Sequence, residues 1–151
     1  MGLPDNRLDT LALLEIIQPI ETTIRSLSPQ IVYTHCGKDL NIDHRIIHQA
    51  TVTACRPLPG STVRQLYAFE TVSSTEWSIA ATDAAFRPTH FVDISPFWQQ
   101  KRSALECYAS EMRSLPHARS FEALEALAVL RGSQSGLGMA EAFEILLHIR
   151  D

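Results

Sequence analysis

An α/β fold is predicted by three features of this 151-residue sequence. A helical apolar stripe precedes a β-branched run, a polar loop carries that run into a second helical segment, and further short strand-like runs alternate with helical ones. Within residues 8–27, Leu11, Leu14, Ile17, Ile20, Ile24 and Leu27 recur at threes and fours, which lays one helical face on a core. Pro19 lacks the N–H that a helix interior uses, so a bend or division is expected near it. Ser28-Pro29 ends the segment, and Ile31, Val32, Tyr33 and Thr34 read as a buried strand.

The loop His35-Cys36-Gly37-Lys38-Asp39-Leu40-Asn41 follows, and a helix is predicted from Asp43 to about Cys55, with the acid at its positive end. Arg56-Pro57-Leu58-Pro59-Gly60 stops that helix. Alternation over residues 65–70 and the run Phe91-Val92-Asp93-Ile94 predict two more strands. Ser95-Pro96 reads as an N-cap with proline in the first turn, opening a helix that carries Phe97, Lys101, Ala104, Leu105 and Tyr108. Ser120 is expected to cap a helix to about Leu130. Gly132, Gly136 and Gly138 read as a flexible turn, and residues 143–149 as a closing strand or the end of a short helix.

Composition narrows the function classes. Apolar residues make up 45% and charged residues 20%, with only 6 Gly and 8 Pro, so disordered and fibrous classes are excluded. A formal net charge of −4 without runs of like charge argues against a general grip on nucleic acid or anionic lipid. Cys36, Cys55 and Cys107 are odd in number and widely spaced, which suits neither a disulfide framework nor a zinc knuckle and suggests a cytoplasmic location. No segment reads as a membrane span or a signal peptide.

The chemistry concentrates at residues 34–48. In α/β sheets, ligands collect at the carboxyl ends of strands beside the next helix, where this loop falls. His44 and His48 are four apart and share a helix face, while His35, Asp39 and Asp43 are placed to orient the imidazoles or add ligands. A structural role for the pair is the competing reading.

The stretch Tyr33-Thr34-His35, then Asp39-Leu40-Asn41-Ile42-Asp43-His44-Arg45 and His48, resembles the second signature of the PIG-L/LmbE-like de-N-acetylases. Pro4-Asp5-Asn6-Arg7-Leu8, Thr53-Ala54-Cys55-Arg56-Pro57, Ser73-Ser74-Thr75-Glu76-Trp77, the 101–108 helix, and Arg131-Gly132 with Ala140-Glu141-Ala142-Phe143 continue the likeness in family order. The resemblance implies a Rossmann-like layered sheet with flanking helices, and zinc-dependent removal of N-acetyl groups from an amino sugar or glycoconjugate. It maps the zinc-binding imidazole onto His44 and a supporting carboxylate onto Asp43. Asn41 stands where many relatives have a histidine. An amide can donate to an oxyanion but cannot deliver a proton at neutral pH. His35, Asp39, His48 and Asp5 are expected around the metal ligand or the substrate.

The family's first signature, A-H-P-D-D-E, supplies two further zinc ligands and the general base, and it does not occur in this sequence. The expectation is therefore an N-terminally truncated, single partial domain over residues 1–151, inactive alone. A strand at 31–34 left without its usual neighbour would favour self-association. The alternative is a non-catalytic sugar-binding or interaction module that keeps the fold without the metal.

Overall fold

In the computed structural model, residues 2–78 and 85–150 are described. The described residues form, in chain order, α1 (Leu13–Leu27), β1 (Ile31–His35), α2 (Ile42–Ala54), β2 (Gln65–Phe69), β3 (His90–Asp93), α3 (Trp98–Glu106), α4 (Phe121–Ser135) and β4 (Ala140–His148). The strands form one mixed sheet in the order β1-β2-β4-β3. The chain divides into two compact units, Met1–Arg87 with Glu144–Asp151, and Pro88–Phe143.

The first unit is built on the parallel pair β1 and β2, in which Ile31 lies opposite Gln65 and His35 opposite Phe69. Leu66, Tyr67 and Ala68 are all buried, as expected of a strand covered on both faces. In β1, Thr34 is buried while Ile31 and Tyr33 stay exposed. α1 and α2 bring Leu8, Ile16, Ile17 and Ala50 together, and Ile24, Cys55, Val63, Leu66 and Leu147 form a second cluster with Val32. Burying a side chain such as Ile16 or Val63 completely contributes about 1.5–3 kcal/mol.

Two expectations for the first helix are corrected. α1 runs through Pro19 without division, because Ile16, Ile17 and Ile20 on either side of it hold the helix to the core and offset one lost backbone bond. The apolar stripe is also rotated: Leu14 and Leu27 are exposed, and Leu13, Ile16 and Ile17 take the inner face. Leu8 lies in a separate 3-10 turn, Leu8–Thr10.

In the second unit, β3 pairs antiparallel with the first residues of β4, His90 opposite Phe143 and Asp93 opposite Ala140. Ile94, Trp98 and Ala128 form its core with Leu124 and Met139. Ser120 caps α4 as expected, its hydroxyl accepting from Ala123 N at 3.0 Å. Ser95 is no N-cap. It opens a 3-10 turn, Ser95–Phe97, its own N–H donates to Asp93 Oδ1 at 2.9 Å, and its hydroxyl accepts from Met139 N instead. Gly132 belongs to α4, which continues to Ser135, so the expected flexible turn begins only at Gly136. The 140–148 segment is a strand.

The three thiols differ in access. Cys36 and Cys55 are buried and Cys107 is exposed. Burial raises both buried thiols, Cys55 to about 11, so little thiolate forms at either. At pH 8 an aromatic disulfide reagent should therefore consume one thiol promptly, and three only after denaturant is added. Two or three fast equivalents in the native protein would contradict this placement.

Candidate functional site

The carboxyl end of β1, the loop after it and the first turns of α2 assemble the polar cluster. α2 starts where it does for a local reason: Asn41 is its N-cap, with Oδ1 accepting from Asp43 N at 2.8 Å. Arg45, one turn in, donates from Nη1 to the carbonyls of Asp39 and Leu40, both at 2.7 Å. The loop is thus tied to the helix by main-chain groups that would otherwise be unpaired.

Asp39 is the pivot. It is completely buried, and its carboxylate accepts from Asn41 N at 2.9 Å, from the Ser74 hydroxyl, and from Thr75 Oγ1 at 2.7 Å. Burial by itself pushes this carboxyl up, but the donors outweigh it and hold the group below the usual carboxylate range. His44 places Nδ1 3.1 Å from Asp39 Oδ1, at ion-pair distance, but the contact lacks the direction of a hydrogen bond.

The loop carrying Ser74 and Thr75 is held independently. Thr71 N donates to Thr75 Oγ1 at 2.7 Å, and the backbone N–H groups of Ser73 and Ser74 donate to the Glu76 carboxylate. In the sequence, residues 73–77 carry a family likeness but no assigned role for these hydroxyls. No periodicity or spacing could have shown that they reach Asp39, 35 and 36 residues away.

The His35 and His44 rings stack, with centroids 4.1 Å apart and planes inclined by 21°. Burial, then the neighbouring His44 and His48, lower the His35 pKa to about 4 against the opposing pull of Asp39, so His35 is neutral at physiological pH. His48 is committed elsewhere: Nδ1 lies 2.8 Å from the His35 carbonyl, which can only accept, so this nitrogen carries the proton. Its ring packs against Gly37, where an added Cβ would fall 2.7 Å from both Cδ2 and Nε2.

Asp43 and Asp5 occupy other places. Asp43 Oδ1 accepts from Leu8 N at 3.0 Å, fastening the Leu8–Thr10 turn to α2. Asp5 is exposed and accepts from Asn6 Nδ2 at 3.3 Å, while Asn41 Nδ2 donates to Asn6 Oδ1 at 3.4 Å. Asn41 therefore spends its oxygen on the helix cap and retains a weakly held NH2 group.

His35 and His44 cannot both ligate one zinc ion from these positions. A metal must lie in the plane of each ligating imidazole about 2 Å from the nitrogen, and two rings stacked this nearly parallel do not share such a point. Among the described residues no group of three His, Cys, Asp or Glu side chains is placed to hold a metal ion.

These features define a class: a mixed α/β sheet domain with a buried carboxylate and stacked imidazoles at the carboxyl end of a parallel strand. Residues 1–55, which contain all of this cluster except the 71–76 loop, match the family model for GlcNAc-PI de-N-acetylase, PIG-L.

The fold is shared with solved structures. The conserved protein TT1542 from Thermus thermophilus is 23% identical, with a TM-score of 0.76 over 99% of this chain and 66% of its own. The 4-carboxy-2-hydroxymuconate hydratase GalB from Pseudomonas putida is 21% identical, with a TM-score of 0.70 over 93% of this chain and 62% of its own. The N,N'-diacetylchitobiose deacetylase from Pyrococcus horikoshii is 16% identical, with a TM-score of 0.69 over 96% of this chain and 55% of its own. This chain thus spans less than two thirds of each. No curated protein matches it significantly. Among the described residues no helix is long and apolar enough to cross a membrane.

Proposed function

We propose that this chain carries the second-signature part of a zinc-dependent site that removes N-acetyl groups from an amino sugar or glycoconjugate. The observation that supports this reading is the gathering of His35, Asp39, Asn41 and His44 at the end of β1, inside the segment that matches the de-N-acetylase family. His44 is its metal-binding imidazole and Asn41 the donor for an acetamide oxyanion, through the NH2 group that the helix cap leaves over. Asp39 positions His44. Asp43 supports the site by anchoring Leu8, and Asp5 reaches Asn41 through Asn6.

A catalytic zinc takes about three protein ligands and an open position for water. His44 supplies one, and the A-H-P-D-D-E signature that would supply two more and the base is not in this sequence. The 151-residue chain by itself is accordingly inactive in this reading. A second reading, a sugar-binding module without chemistry, is favoured by the stacking of His35 on His44. The hydratase of the same fold illustrates that this architecture does not dictate one reaction.

The test has two stages. N-acetylglucosamine titrated into the chain should perturb the ring resonances of His35 and His44, and the absence of any change would remove the sugar-site reading. Joined to a segment that carries A-H-P-D-D-E, the chain should release acetate from an N-acetylglucosamine derivative only with zinc, and His44→Ala should abolish the release. Sugar binding without any acetate release by the joined protein would select the binding module.

A further inference from the structure

The two ring nitrogens of His44 have different surroundings. Nδ1 is buried, lies 3.1 Å from Asp39 Oδ1, and among the described residues has no hydrogen-bond partner. The side chain is 20% exposed all the same, so its open part lies away from Nδ1. Asp39 meets this nitrogen as an acceptor. Its Oδ1 receives the Asn41 N–H and the Ser74 hydroxyl, and its Oδ2 receives the Thr75 hydroxyl. Thr75 Oγ1 is itself engaged by the Thr71 N–H at 2.7 Å, which leaves its own proton for Asp39. Three donors converging on one carboxyl favour the ionised form. A lone pair on Nδ1 would stand against the lone pairs of an anionic oxygen in a buried setting, whereas an N–H there is attracted. The outer torsion of a histidine side chain is broad, so turning that N–H onto Oδ1 costs little.

We propose that Asp39, clamped by Ser74 and Thr75, is a positioning residue that keeps the His44 proton on Nδ1 and presents Nε2 as the electron-pair donor of the site. The proposal rests on the reading of His44 as the ligand-binding imidazole and adds which nitrogen carries that role. Asp43, the acid next to His44 in sequence, does not compete for the task, because its Oδ1 accepts from Leu8 N. Nor does His35, which meets the face of the His44 ring by stacking and not its edge. The two serine and threonine hydroxyls thereby acquire a function at a distance: they come from a loop 35 and 36 residues further along the chain, and they hold the carboxylate that selects the tautomer.

Long-range proton–nitrogen correlation spectra of the full chain, recorded at alkaline pH where the imidazoles are neutral, read the tautomer of each ring. His48, whose Nδ1 must donate to the His35 carbonyl, is the internal reference. His44 should match it, with the Nδ1–H form favoured about tenfold or more, as a charge-assisted bond implies. In Asp39→Asn the amide oxygen keeps the Oδ1 place, because Asn41 N can only donate, and a neutral acceptor there should cut the preference severalfold. Asp43→Asn should leave the ratio as in the parent chain. A purely structural role for Asp39 would lower stability in Asp39→Asn without moving the His44 ratio. An Nε2–H ring in the parent chain, an unaltered ratio in folded Asp39→Asn, or an equal change in Asp43→Asn would overturn the proposal. These spectra are independent of the sugar titration and acetate release that test the reading of the site, so either can fail while the other stands.

Discussion

Asp39→Ala is expected to produce the largest loss of stability of any single substitution in the candidate site, about 3–5 kcal/mol, the range for breaking a buried charge network. The side chain removed is completely buried and accepts from Asn41 N and from the hydroxyls of Ser74 and Thr75. Each donor left without a partner costs about 1–3 kcal/mol. Asp39→Asn keeps one acceptor oxygen, and the two hydroxyls can turn to accept from the new NH2 group, so about 1–2 kcal/mol is expected there. Urea denaturation checks both, read as midpoints at constant slope. Equal losses for Ala and Asn would mean that the carboxylate does not act as the acceptor described.

The same carboxylate has a pH signature. Its folded pKa is held below the unfolded value, so its contribution is present above the unfolded pKa and declines as pH falls through the folded one. Stability measured from neutral to acid pH should fall less steeply in Asp39→Asn than in the parent chain.

The second large effect is expected at Gly132→Ala. Helix propensity alone predicts a gain of about 1 kcal/mol from replacing a glycine inside a helix. The structure reverses the sign. A Cβ on Gly132 would fall 2.7 Å from the carbonyl oxygens of Leu137 and Gly138 and 2.8 Å from Gly138 C, where the chain turns back across the last turn of α4. Leu137 N donates to the Gly132 carbonyl at 2.9 Å, so the turn that would have to retreat is also bonded to the residue being changed. These are backbone atoms with no rotamer to yield, and overpacking of this kind costs about 1–3 kcal/mol. Ser133→Ala, one residue on at an exposed position, serves as the control and should stay within about 0.5 kcal/mol. A Gly132→Ala chain as stable as the control would show that the turn moves freely.

Local rules explain what was legible in advance. Ser120 caps its helix through a side chain that acts within three residues, and the strand at 31–35 follows from a β-branched and aromatic run. The polar cluster was legible for the same reason: a loop after a strand and the first turn of the next helix lie side by side in any α/β arrangement, whatever packs around them. Where competing local signals met, the reading failed. Ser95 has both the identity of a cap and a proline after it, but its hydroxyl is taken by Met139, 44 residues away.

The sequence by itself therefore determined the α/β class, the order of the main elements and the placement of His35, Asp39, Asn41 and His44 at one strand end, because each depends on contacts a few residues long. Only the tertiary structure decided which carboxylate stands beside His44. Asp43 is its neighbour in sequence but serves Leu8, whereas Asp39 reaches both the imidazole and the 71–76 loop. It also decided that His35 stacks on His44 and that Leu14 and Leu27 face outward. The physical reason is common to all of these: a buried polar atom takes whichever partner the packing brings within hydrogen-bonding reach, and packing joins residues without regard to their separation along the chain.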